Sequence, residues 1–173
     1  MKKGGVGGGK TKTGLHFESR VSLEKVISAL PNYTISDDNV FFKGTKVAEL
    51  YQKHKLYKNL LEPNHIDYSI IISKKLLPDE AILILKDKTL YIIEIMFQAV
   101  GGSVDEKLQT CDFKYKEYKK LLAPLDISVE YVYVLNDWFK KREYKDVLDY
   151  VKSVGCHYYF NEIPLDFLKL PVS

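Results

Sequence analysis

Asp79 and Glu94 are the residues whose types and spacing could do chemistry. Asp79 follows Pro78 at the head of an apolar run, Ala81 to Leu85. Glu94 is the one charge inside a second apolar run, Leu90 to Phe97. Lys86-Asp87-Lys88 between the runs is a polar break of the kind that closes a hairpin. Strand side chains alternate between two faces, so Ile93, Ile95 and Phe97 point one way and Glu94, Met96 and Gln98 the other. A carboxylate inside so apolar a strand is costly unless something compensates it. The hairpin could fold Asp79 back beside Glu94, and two acidic oxygens meeting there make a site for a hard divalent cation. On a plainer reading Asp79 caps a turn and Glu94 pairs with a buried base. Asp67 is a rival for the first acidic position. Asp79 is preferred because it directly precedes the strand that hairpins to Glu94 and has a proline before it.

The stretch Leu77–Gln98 resembles the PD-(D/E)XK nuclease superfamily, the fold of many type II restriction endonucleases. The family pattern is Pro-Asp, a spacer covering one hairpin, then Glu-x-Lys. Pro78-Asp79 and Glu94-Ile95 match it, and Met96 stands where the lysine is expected. The resemblance spans Thr13 to about Leu135 and is strongest over 77–122. It implies a magnesium-dependent hydrolysis of phosphodiester bonds in double-stranded DNA, with Asp79, Glu94 and the carbonyl of Ile95 as metal ligands. It also implies Glu18, near the start of a first helix, as a further acidic member of the site. A helix after the Glu-x-Lys strand would frame the site, and Lys107 and Gln109 near its N-terminal end could reach the scissile phosphate. Cutting both strands of a symmetric site calls for two active centres, hence a homodimer. Methionine cannot donate, accept a proton or carry charge, so the chain as written is expected to be a catalytically impaired nuclease that binds DNA and cuts it slowly. Three accounts fit Met96: an engineered Lys-to-Met replacement, a role passed to Lys107 or Gln98, or a natural non-catalytic DNA-binding protein on the same fold.

These residues need elements to hold them. Leu23, Val26, Ile27 and Leu30 recur at helical spacing and predict a helix from Thr13 to about Ala29, ended by Pro31. Tyr33–Ile35 and Val40–Phe42 predict two short strands around the turn Ser36–Asn39. Residues 45–62 have partial helical spacing, and the run 53–58 (KHKLYK) interleaves basic and aromatic residues. Ile66–Ile72 predicts a strand. Ser103, with Glu106 three residues later, forms a capping box for a helix reaching about Leu122. Its stripe is Leu108, Cys111, Tyr115, Tyr118 and Leu122, with Lys107, Gln109 and Lys114 off it. A strand over Ile127–Leu135, a helix over Arg142–Val154 stopped by Gly155, and a strand over Cys156–Phe160 follow. The apolar, proline-bounded segment 163–171 is expected to pack on the body. Together these predict an α/β fold, a central mixed β-sheet flanked by helices, in the manner of a restriction endonuclease.

Composition sets outer bounds. At 173 residues, 46% hydrophobic and 28% charged, the chain suits one globular domain over 14–173. A net charge of +3 permits a nucleic-acid partner through local basic patches without arguing for one. Residues 1–13 read as a flexible, basic, glycine-rich arm whose Lys10 and Lys12 could lie along a DNA backbone. Gly4–Thr11 matches the phosphate-loop pattern, but no strand can precede it, and the match is read as chance. Cys111 and Cys156 lack metal-ligand spacing, which argues against a structural zinc site and suits a reducing cytoplasm. No apolar run approaches membrane-spanning length, and no apolar segment follows the N-terminal lysines. A cytoplasmic protein with no membrane partner and no secretory signal is expected.

Overall fold

The computed structural model describes residues 14–172. The elements in chain order are β1 (Gly14–His16), α1 (Leu23–Ser28), β2 (Tyr33–Ser36), β3 (Asn39–Phe42), β4 (Thr45–Leu50), β5 (Glu80–Ile84), β6 (Thr89–Met96), α2 (Val104–Leu108), α3 (Cys111–Leu122), β7 (Ser128–Leu135), α4 (Lys145–Ser153), β8 (His157–Phe160) and β9 (Glu162–Pro164). Strands β2 to β8 form one mixed sheet in sequence order: β2 to β6 run as an antiparallel meander, and β6, β7 and β8 pair in parallel. Parallel neighbours need crossover connections. Here α2 and α3 make the first crossover and α4 the second. This is the α/β architecture expected from the alternation of apolar strands and amphipathic helices.

The sheet separates two cores. On one face Leu90, Ile92, Met96, Tyr131 and Tyr133 pack beneath Leu108, Cys111, Tyr118 and Leu122 of the crossover helices. On the other, Tyr91, Ile93, Ile95, Val132 and Val134 pack against α1, β1 and the C-terminal Ile163, Leu165, Leu168 and Leu170. Strands buried on both faces read as continuous apolar runs, which is what β6 and β7 show. The second core is closed by a two-stranded ribbon in which β1 pairs antiparallel with β9. The C-terminal segment therefore packs on the body as expected.

Several elements differ from the sequence expectation. The predicted first helix is two elements, β1 and α1. Leu15 and Phe17 are buried while His16 between them is exposed, a period-two pattern that belongs to the ribbon. Helix α1 starts only at Leu23, where the Ser22 side chain accepts from the Lys25 amide at 3.2 Å. Residues 45–50 form β4, and a turn of π-helix over Leu56–Leu61 carries the buried Leu56, Tyr57, Leu60 and Leu61. Ile66–Ile72 is not a strand. The Asp67 carboxylate accepts from both the amide and the hydroxyl of Ser69, which turns the chain into a short 3-10 helix at Tyr68–Ile70. The helix expected over Ser103–Leu122 is broken at Gln109-Thr110. There the Lys107 carbonyl accepts from the Thr110 hydroxyl at 2.7 Å and the Tyr133 hydroxyl at 3.1 Å, and these bonds close the end of α2.

Candidate active site

The β5–β6 hairpin sets the site. Its register pairs Ile84 with Thr89 and Glu80 with Ile93. One further step of the same register sets Asp79 opposite Glu94, on the face covered by α3, because directly opposed residues share a face. The Asp79 carboxylate accepts from the Ile95 amide at 3.2 Å, and the Asp79 carboxyl and amide both meet the Glu94 side chain. Burial pushes the Glu94 carboxyl up to about 7; Lys114 opposes that rise, and the charge of Asp79 adds to it. Beneath Glu94 the phenols of Tyr118 and Tyr131 are driven far above their ordinary value by burial first, and by the charge of Glu94 after it.

Above the pair opens a cleft of about 400 Å³. Asp79, Glu94 and Ile95 form part of its lining, and Arg20, Lys107 and Lys114 contribute cations. A second cleft, of about 340 Å³, adjoins the first and shares Arg20, Asp79 and Ile95 with it. Its other lining residues include Gln52, Lys53 and Glu80. Glu80, only 5% exposed, lies on the face of α1, accepting from the Gln52 amide at 3.1 Å and from the Leu23 amide. Burial raises the Glu80 carboxyl to about 7 as well.

The structure places the sequence-predicted residues unevenly. Asp79, Glu94, Ile95, Met96, Gln98 and Lys107 all border the first cleft. Met96 is 9% exposed and belongs to the core under α2 and α3. Gln98 spends its side-chain amide on the Val100 carbonyl at 2.6 Å, and its backbone is clamped by Asn136 on both sides. Glu18 is corrected: it is an exposed residue of the loop after β1, not part of a first helix, and it lines neither cleft. Gln109 is also corrected. The break between α2 and α3 turns it to a separate depression beside Glu143, Asp146 and Tyr150. Asp67 is committed to Ser69. Lys10, Lys12, the glycine-rich arm and the phosphate-loop match at Gly4–Thr11 lie outside the described residues.

Sequence reasoning missed Arg20, Lys53, Gln52 and Glu80 and left Lys114 as a surface lysine. A signal existed for Arg20, one of only two arginines in a lysine-rich sequence. Glu80 could have been found as a charge at the first position of an all-buried strand.

Magnesium fits this donor set in one manner. Among the described residues no three of His, Cys, Asp and Glu converge to hold a metal ion. Asp79 and Glu94 are the two carboxylates that would hold such an ion, with water making up the rest of its ligands. No protein-family model, no curated protein and no solved structure matches this chain.

Proposed function

We propose that this chain is a metal-dependent endodeoxyribonuclease of restriction-endonuclease-like architecture that hydrolyses phosphodiester bonds of double-stranded DNA. One observation carries the reading: two carboxylates are pressed together at the end of a buried hairpin, in a cleft whose rim is cationic. Carboxylates that repel each other across a desolvated floor favour a cation between them, and a cationic rim favours a polyanion above. Magnesium bound there supplies charge neutralisation at the phosphoryl oxygens and an activated water. Asp79 and Glu94 hold and orient that centre. The Ile95 amide fixes the Asp79 carboxylate, and Arg20, Lys53 and Lys107, which line the two clefts, would take neighbouring phosphates. In the hydrolysis itself a bond forms from water oxygen to phosphorus, and one phosphorus–deoxyribose oxygen bond breaks. The released oxygen takes up a proton, and the attacking water loses one.

The test is supercoiled plasmid and a mixed-sequence duplex library incubated with magnesium at pH 8. Relaxed, linear or discrete fragments are expected from the original chain. Asp79→Ala and Glu94→Ala should slow cutting by about a hundredfold or more while leaving DNA binding in place. Because Glu94 must lose its proton to hold a cation, magnesium affinity should fall about tenfold per pH unit below about 7 and level off above it. A homodimer on DNA belongs to the same proposal, since two strands need two centres. A single-copy mass in sedimentation both with and without DNA would count against the dimer. The second reading, a non-catalytic DNA-binding protein of the same architecture, is favoured by one observation, the apolar Met96 on the cleft wall. Binding without cutting by both the original chain and Met96→Lys would establish it.

A further inference from the structure

Every lysine on α3 except one is engaged on the helix itself. Lys116 pairs with Asp112 at 2.8 Å, Lys120 pairs with Glu117 at 2.8 Å, and Lys119 lies 4.2 Å over the Tyr115 ring. Lys114 has no ion-pair or side-chain hydrogen-bond partner among the described residues, and it lines the cleft that holds Glu94. Its position follows from helix geometry. Cys111 three residues before and Tyr118 four residues after are both buried, so Lys114 rides the inner flank of α3. Helical side chains lean toward the N-terminus of their helix, which carries the Lys114 stem toward Thr110 and the cleft mouth.

The other polar groups of the cleft are less suited to meet a phosphate over the carboxylates. Gln98 is occupied by Val100. Arg20 belongs to the loop between β1 and α1 and serves both clefts. Lys107 sits at the exposed end of α2. Met96, two residues along the strand from Glu94, makes that part of the cleft wall apolar. We propose that Lys114, from α3, supplies the ammonium that meets the substrate phosphate over the Asp79–Glu94 pair, in the place that Met96 leaves apolar. The inference rests on the nuclease reading of this cleft for its substrate. The ammonium makes and breaks no bond. It neutralises charge on a non-bridging phosphate oxygen as the phosphorus gains its fifth neighbour, an interaction that strengthens toward the transition state.

The experiment compares the original chain, Lys114→Met, and the double variant Lys114→Met/Met96→Lys, each with three readouts. The first is affinity for a duplex library in EDTA across a salt series. Losing one phosphate contact should weaken binding and lower the salt slope by about one unit. The second is manganese binding without DNA at pH 8.5, where Glu94 is ionised, which should tighten in Lys114→Met once the neighbouring positive charge is gone. The third is magnesium-dependent cutting, which should fall about a hundredfold or more in Lys114→Met and recover at least in part in the double variant. Cutting by Lys114→Met at the original rate overturns the assignment and leaves the nuclease reading standing. No cutting by any of the three, with a reduced salt slope in Lys114→Met, overturns the nuclease reading and keeps Lys114 as a phosphate contact. No cutting and an unchanged salt slope overturn both.

Discussion

At the scale of single residues the unusual feature is a pair of desolvated glutamates on opposite faces of one hairpin. Glu94 faces the crossover helices and Glu80 faces α1, and burial raises both carboxyls to about 7. An ordinary glutamate ionises near 4.5. Between those values the folded chain still holds protons that the unfolded chain has released, so stability is greatest below about pH 4.5 for these groups and declines as pH rises toward 7. Glu80 gives the cleaner test because it lies outside the Asp79–Glu94 pair. Glu80→Gln keeps an amide oxygen for Gln52 and Leu23 and removes the charge. At pH 8 it should stabilise the protein by about 1–3 kcal/mol, with the advantage shrinking toward zero at pH 5. Urea denaturation at the two pH values measures it, and an equal effect at both would show that Glu80 does not titrate in this range.

At the scale of elements, the approach to Asp79 is held by one tyrosine. The Tyr57 hydroxyl donates to the Leu76 carbonyl at 2.8 Å and accepts from the Leu76 amide at 2.9 Å, tying the π-helical turn to the chain just before Pro78. Tyr57→Phe would strand two partly buried backbone groups and should cost about 1–3 kcal/mol, read as a lower urea midpoint with an unchanged slope. No sequence pattern announces such a tie, which explains what could and could not be read in advance. The hairpin and β7 were legible because strands buried on both faces are apolar throughout, and a charge in one stands out. So was the Asp79–Glu94 meeting, which needs only a four-residue loop and the pairing that follows from it. The ribbon strand β1 was not legible, since its partner β9 lies at the other end of the described chain. The break between α2 and α3 was not legible either, because one of the two hydroxyls that close α2 comes from Tyr133 on a distant strand. Arg20 and Lys53 reach the clefts from irregular segments, where spacing carries no information about direction.

At the scale of the whole molecule, the carboxylate pair should couple cation binding to folding. A ligand that binds only the native state raises stability in proportion to the logarithm of its concentration over its dissociation constant. Millimolar magnesium at pH 8 should therefore raise the melting temperature of the original chain and leave that of Glu94→Gln unmoved, in a scanning calorimeter and without any DNA. Among the described residues no helix is long and apolar enough to cross a membrane. The ribbon that closes the second core has a consequence of its own for the order in which the working protein comes into being. Strand β1 adjoins the loop carrying Arg20, and β9, which pins it, is separated from it in sequence by the whole of the central sheet. Loop closure over so long a stretch is a late event in folding. The cleft thus gains its arginine only when this long-range pairing is made, so a chain whose central sheet has formed but whose ribbon has not carries the Asp79–Glu94 floor without its full cationic rim.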